Sequence, residues 1–469
     1  MTVEAIDADL VRVLLGVEVN KGKEANDMVC TTGSTTSAAK VAAASGSPLY
    51  PPGGVAGAWD NLGAGLVARF KDGTATAALR GKEYPIKTVS WSADVLTLEP
   101  DGNFAAAPAS GDEFELWGYL KAEVTAQNQT RKPLQRDTVN RDIREPLPSR
   151  KGLKVANGGF GFEMAGLENP ITASDYTPDR LSALLRTMFS LRQIAGTTIA
   201  SGGTLSNVML PLTSVTGYEA GDVLFVSGQF VEIQSVTPGS PNQVEISPPL
   251  KNVPSVGDAV NGTEVWTPYD NGHGTMTVAF LVGHQLRKWL GCVASLSISA
   301  EWNDIAKGSI EFDAEDWSRV DSQENQHTLS KNLLPAAFVN GGLWFGTTRL
   351  PVKSFQFNDN QERQIRMSSG RDNGQEVYGG PRVSTIGINW INESSTRKNT
   401  DETLETPTRM VMQVGGEAGD VFGIVGMVQS QEGANDGNTD GDAVYEDTFR
   451  FTMDTTNGVT GHKRKLVRA

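Results

Sequence analysis

The sequence predicts a mainly β fold: two copies of one β-sandwich or barrel-forming domain, each with a flanking helix, plus two small β modules inserted into the first copy. Three observations carry this. Apolar and polar residues alternate with period two through most of the chain. Two long stretches share one order of strands and loops. Two shorter stretches match each other feature by feature.

The alternating segments come first. "LKAEVTA", "GLKVANGGFGFEM", "TMTVAFLV", "SLSISAEW", "KGSIEFDAE", "VKSFQFND", "VSTIGINW" and "TFRFTMD" each read as a half-buried strand. Glycine, 51 of 469 residues, fits a loop-rich β protein better than a helical one. One segment is helical. In "TPDRLSALLRTMF", Thr177 serves as N-cap, Pro178 suits the first helical position and Asp179 favours the dipole. Leu181, Leu184, Leu185 and Met188 then form one apolar stripe.

The two short stretches are the small modules. Gly81 aligns with Gly228, Ile86–Val89 with Ile233–Val236, Val95–Leu98 with Val244–Ile246, and Gly111-Asp112 with Gly257-Asp258; Trp117 and Trp266 close the units. The long repeat is strand, long polar loop, strand, capped helical start and three strands. The helical start is Thr177-Pro-Asp in the first copy and Thr400-Asp-Glu in the second, where the helix is short. The three strands lie in "TMTVAFLV … CVASLSISAEW … KGSIEFDAE" and "TRMVMQV … FGIVGMVQS … DTFRFTMD".

Composition narrows the function. A formal net charge of −14 argues against gripping the outside of duplex DNA, which needs clustered Lys and Arg. Cys30 and Cys292 are too few for a disulfide framework, and His273, His284, His327 and His462 lack metal-ligand spacing. No cofactor or metal is expected. The opening "MTVEAIDADL" puts acids where a secretion leader needs basic residues, and no window is apolar enough to span a membrane.

Several motifs imitate chemistry. "NGHGTMTVAF" resembles the histidine segment of a subtilisin-type protease, but no Asp-Ser/Thr-Gly or Gly-Thr-Ser-Met-Ala string accompanies it. The β-branched alternation after His273 favours a turn entering a strand. "GEAGDVFGIVG" lacks the lysine of a phosphate loop. The tract "EGANDGNTDGDAVYED" loosely mimics a calcium loop but has Asp447 at the twelfth position and reads as a flexible, solvated hairpin tip. No enzyme is expected.

The most unusual segment is "TRKPLQRDTVNRDIREPLPSRKG". Arg131, Lys132, Arg136, Arg141, Arg144, Arg150 and Lys151 are interleaved with Asp137, Asp142 and Glu145, and its prolines oppose regular structure. It reads as a mixed-charge loop pairing with a neighbouring subunit; a nucleic-acid contact, diluted by the acids, and a plain solvated loop are the alternatives. Arg363, Arg366 and Arg371 stand in the corresponding loop of the second copy and complete the set of inter-subunit candidates.

This layout resembles the tail tube (major tail) proteins of long-tailed bacteriophages. The likeness rests on "RDTVNRDIREPLPSRKGLKVANGGFGFEM", "TPDRLSALLRTMF", "LSISAEWNDIAKGSIEFDAEDW" and "RLPVKSFQFNDNQERQIRMSSGRDNGQEVYGGPRVSTIGINW". It covers most of the chain outside the two modules, and it is a likeness of layout with no catalytic signature. The resemblance implies a structural virion protein. Its copies would stack as rings, trimeric and pseudo-sixfold for a duplicated domain, around a channel for DNA ejection. The implied partners are further copies of itself, a tape measure protein, and terminator or distal tail proteins. Viral DNA would pass without sequence-specific binding, and no membrane is involved. Synthesis would occur in the host cytoplasm and residence in the virion tail. Another tail component or a β-rich adhesin is the alternative. On this reading the chain divides into an N-terminal arm and first strand (1–30), a first inserted module (31–118), tube domain 1 (119–195 and 269–320), a second inserted module (196–268), a linker (321–350) and tube domain 2 (351–469). The modules are expected to decorate the outside as bulk.

Overall fold

A computed structural model describes residues 12–17, 27–42, 66–71, 73–120, 122–134, 150–167, 171, 180–268, 275–282, 285–321, 335–339, 341–367, 375–391, 406–431, 435–439, 442–452 and 464–469. Pairing joins 24 strands into one network, and six more form a separate sheet.

The two copies have one topology. In the first, Ala122–Leu134 pairs with Arg150–Glu163, then Lys307–Asp313, then the second half of Gln285–Glu301. In the second, Val352–Met367 pairs with Gln375–Ile391, then Asp442–Thr452, then the second half of Phe422–Ser430. The long strand of each copy also enters a back sheet through its first half. Gln285–Leu290 lies between Met276–Val282 and Asp316–Asp321. Phe422–Gly426 lies between Thr408–Val414 and Arg464–Arg468. Each copy is therefore a sandwich whose two sheets share one strand, and the predicted strands are present.

Alternation builds the core. Along Lys307–Asp313, Gly308, Ile310 and Phe312 are buried while Lys307, Ser309 and Glu311 are exposed. One hydrophobic cluster runs through both copies, from Phe160, Trp289 and Phe312 to Phe357, Trp390 and Phe449. Glycines in the first copy's wall strands serve aromatic neighbours. Gly158 lies opposite Phe312, and Gly308 lies opposite Phe162. A Cβ at Gly308 would sit 2.5 Å from the Phe162 ring, and one at Gly158 would sit 2.6 Å from that of Phe312. Each ring covers the glycine on the next strand.

The two modules are also one fold. In the first, strands run Ala39–Ala42, Val95–Pro100, Glu83–Ser92, Val67–Phe70, Glu113–Leu120, Asp27–Val29. In the second, the order is Met209–Leu212, Asn242–Ser247, Gln229–Thr237, Val223–Val226, Ala259–Asn261, Thr197–Thr198. Bridges Cys30–Val41 and Ile199–Leu212 close both into small barrels. The turns at Gly111-Asp112 and Gly257-Asp258 match: both glycines have φ near +90° (93° and 91°). Each aspartate accepts the N–H three residues back, from Ala109 and Ser255. The same turn recurs at Gly221-Asp222 and Gly419-Asp420. Trp117 Nε1–H donates to Glu115 (2.8 Å), and Trp266 Nε1–H donates to Glu264 (3.1 Å).

The modules are inserted at different places yet cover equivalent surfaces. The first interrupts a hairpin between Arg12–Val17 and Glu113–Leu120; the second copy has a tight turn there, between Gly342–Phe345 and Thr348–Leu350. Trp117 packs against Ala279 and Leu286 on the outer face of the first back sheet, with Lys288 Nζ 5.4 Å from its ring. The second module grows from Phe189–Ile194 and Thr263–Pro268 and packs on the other copy's back sheet. There Gln413 accepts the Phe230 N–H (2.9 Å) and donates to Gly228 O (2.9 Å), and Glu232 pairs with Arg409 (3.0 Å) and Lys465 (2.7 Å).

The expectation of a helix flanking each copy is not borne out. The described residues contain one seven-residue helix, Arg180–Arg186, whose stripe of Leu181, Leu184 and Leu185 is fully buried in the shared core. A helix of two turns surrounded by sheet fills a gap and forms no layer. Its expected cap, Thr177, and the second expected start, Thr400, lie outside the described residues.

Candidate assembly wall

The first copy meets the second through the strand edges of their wall sheets. Leu296–Glu301 pairs antiparallel with Ser354–Asp359. The result is one wall of eight strands. A single row of paired residues crosses it: Glu123, Gly161, Ser309, Ser297, Asn358, Thr385, Arg450, Gln429. None of these is buried. The adjacent row crosses as Ala122, Phe162, Gly308, Ile298, Phe357, Ile386, Phe449 and Ser430. All but Ala122, at the edge, are buried. One face of the wall is core and the other is open.

The open face is chemically bland. A further row reads Glu163, Lys307, Ser299, Gln356, Gly387, Thr448. Hydroxyls, amides and glycines dominate, with Glu301, Glu311, Glu446 and the exposed Arg450 on the same side. Lys307 is held by Asp304 at 3.3 Å. Such a surface offers few cations to a phosphate backbone.

Charges inside the wall are paired. Asp359, 1 % exposed, faces the Arg464 guanidinium, Arg382 (3.4 Å) and the Ser384 hydroxyl (2.9 Å). Burial lowers the Arg464 pKa against the pull of Asp359. At the seam, Arg363 reaches from the second copy to Asp313 (3.2 Å) and Glu311 (3.7 Å) of the first. Burial raises the Asp313 pKa, opposed by Arg363.

Two edges of the wall are open among the described residues. At one end Ala122–Leu134 pairs only with Arg150–Glu163. At the other, Asn435–Thr439 pairs only with Asp442–Thr452. The sequence reads this second edge as a flexible hairpin tip; a hairpin is present, but Asn435–Thr439 is a paired strand within it. Nothing in its Asn, Asp and Gly composition signals one, because pairing with its neighbour imposes the extended backbone. Unpaired edges are sites for strand addition.

Four of the eight predicted arginines, Arg131, Arg150, Arg363 and Arg366, fall within the described residues. Arg131 and Arg150 lie on paired strands, so the expected loop is partly an antiparallel arm. Pro133 sits inside it because an edge strand tolerates a missing N–H. Arg363 is engaged at the internal seam, and Arg366 lies on Val352–Met367. Arg136, Arg141, Arg144 and Arg371 lie outside the described residues, as do all four histidines. "GEAGDVFGIVG" forms the Gly419-Asp420 turn and a strand, where a phosphate loop would open a helix. Among the described residues no group of three His, Cys, Asp or Glu could hold a metal ion.

A family model described as phage tail tube protein matches residues 102–453, more than half of the chain. The chain belongs to the phage tail tube protein family. No curated protein matches it. Tail tube proteins are structural components of the virion tail that self-assemble into a tube, and theirs is not an enzyme family. In this tail tube protein, the eight-stranded wall with one bland face and two open edges is the candidate functional surface.

Proposed function

We propose that three chains close into a ring with pseudo-sixfold symmetry, and that stacked rings form the tube through which DNA is ejected. The observation that carries this is the internal seam. Two copies of one domain already join edge to edge inside the chain, and the same two edges remain open at its ends. Repeating the seam between chains removes every open wall edge, which is how closed symmetric rings avoid runaway association.

The open face lines the channel on this reading, because the back sheets, helix and modules occupy the other side. Three chains carry a formal charge of −42, three times −14. A small-polar wall in an acidic protein lets DNA slide without adhesion. The modules lie outside, each shielding a back sheet. The chain divides into an arm and first strand (1–30), module one (31–118), tube domain 1 (119–195 and 269–320), module two (196–268), linker (321–350) and tube domain 2 (351–469), except that Asp27–Val29 pairs within module one and Gly342–Phe345 with Thr348–Leu350 belongs to the back sheet of tube domain 2. Arg131, Arg136, Arg141, Arg144, Arg150, Arg363, Arg366 and Arg371 belong to arms that meet neighbouring subunits. A tape measure protein fills the lumen before ejection, and terminator and distal tail proteins cap the ends. The protein catalyses nothing and is made in the host cytoplasm.

Electron microscopy of the purified chain with class averaging tests this. Rings or tubes with a central channel and three chains per ring are expected. A monomer that persists at high concentration, or six whole chains per ring, would overturn it.

A further inference from the structure

The internal seam also determines which residues meet between chains, once each residue of one copy is matched to its equivalent in the other. Two independent landmarks make that match. The first is the hairpin beside each back sheet. Leu15 lies opposite Gly118 and Val278; Phe345 lies opposite Thr348 and Met410. Walking outward through the paired strands then equates Cys292 with Val428, Phe312 with Phe449, and Phe160 with Ile388. The second is a register shift in each arm, between Arg131 and Pro133 in one copy and between Gln361 and Arg363 in the other. It equates Arg131 with Gln361, hence Asn128 with Asn358, and Gln129 with Asp359; these last two are both buried polar residues, and each meets an arginine, Arg319 for Gln129 and Arg382 for Asp359. Asn128 lies opposite Asn157 and Asn358 opposite Thr385, so the second landmark also equates Phe160 with Ile388. The two routes agree.

The seam can now be transposed. Ser297 lies opposite Ser309 on one side and Asn358 on the other. The equivalent of Ser309 is Glu446, and Glu446 lies opposite Asn435. Asn435 therefore occupies the place of Ser297, and Asn128 the place of Asn358. From this, resting on the ring reading above, we propose that Asn435–Thr439 of one chain pairs antiparallel with 123–128 of a second copy. Asn435 stands opposite Asn128 and Thr439 opposite Glu123. The partner is a second copy because its complementary edge is the one this chain already presents to itself.

The same match fixes the width of the channel. Ser354 is the equivalent of Glu123, yet the row through Glu123 crosses the second copy at Asn358. The register advances four residues per copy. Six copies of four strands then give a shear equal to the strand number, the ratio of an eight-stranded barrel of shear eight, whose strands tilt by about 36°. With strands about 4.8 Å apart, the closed wall has a backbone diameter of about 45 Å. That leaves room for a duplex once side chains are counted.

The test uses the full chain with Asn128→Cys and Asn435→Cys together, oxidised after assembly. A covalent three-chain species on non-reducing gels is expected, and the slipped pair Asn128→Cys with Gly437→Cys should not give one. If the reduced double variant fails to assemble, Glu123→Cys with Thr439→Cys probes the other end of the same seam. Rings that cross-link only in the slipped pair, or in neither seam pair, overturn the register while leaving the tube reading intact. Absence of rings from the wild-type chain overturns the tube reading itself. Reconstruction of wild-type tubes gives a second readout: a 24-stranded wall about 45 Å across is expected. A wall whose register advances by two residues per copy would be visibly narrower and would refute the match.

Discussion

The contact most exposed to challenge is the buried pair of Glu264 and Arg468. Glu264 is fully buried and Arg468 is 1 % exposed. Arg468 donates to Glu264 (3.1 Å), to Ser182 Oγ (2.9 Å), to Ala165 O (3.0 Å) and to Gly166 O. Glu264 also accepts from Ser182 Oγ (2.6 Å) and Trp266 Nε1. The group ties the helix, the exit strand of the second module and the strand Arg464–Arg468 to one another. In Arg468→Met the carboxylate keeps the Ser182 and Trp266 donors but loses the charge of Arg468. Breaking a buried ion pair from one side costs about 3–5 kcal/mol. Glu264→Gln leaves an amide oxygen that still accepts, so about 1–3 kcal/mol is expected. Without the charge to strand, the double variant should cost less than the sum by about 2 kcal/mol. Urea unfolding of the unassembled chain, followed by tryptophan fluorescence, measures all three. Additivity within about 0.5 kcal/mol, or an Arg468→Met cost below about 1 kcal/mol, would refute the idea that the pair couples these elements.

Other outcomes follow from single sites. Burial works to raise the Asp112 pKa, but hydrogen bonds from Thr76, Ala109 and Ala75 outweigh it and hold the carboxyl below its usual range. A depressed pKa gives stability that is present above the ordinary carboxylate pKa and lost as pH falls through the lowered one. Asp112→Asn should therefore flatten the acid limb of the first module's stability profile; an unchanged limb counts against the cap. The Cys30 thiol is pushed up to about 12 by burial and then by Asp112. Iodoacetamide at pH 8 should leave folded protein unlabelled at Cys30 and label it after unfolding. Gly308→Ala places a Cβ 2.5 Å from the Phe162 ring and should cost about 1–3 kcal/mol by overpacking. Adding Phe162→Leu should recover part of that cost, and an undiminished cost would show the ring is not the obstacle.

The sequence by itself determined what period and local chemistry encode. Period two gave the wall and back-sheet strands, since side chains on a pleated strand alternate faces. Gly111-Asp112 and Gly257-Asp258 gave matching turns because only three or four residues decide them; the same logic would have found Gly221-Asp222 and Gly419-Asp420. The Leu181, Leu184, Leu185 stripe correctly marked a buried face, yet it could not say that only two turns of helix fit between the sheets. Tertiary structure alone decided the rest. The strand Asn435–Thr439 is extended because Asp442–Thr452 pairs with it, although its composition favours a turn. The second module rests on the other copy's back sheet through Phe230, Glu232 and Gln413, a choice of surface that no local pattern records. The register of the seam, Ser297 opposite Asn358, depends on hydrogen bonds between segments some 60 residues apart. A one-residue slip there would turn one strand's apolar side chains to the open face, so burial of Ile298 and Phe357 together sets it.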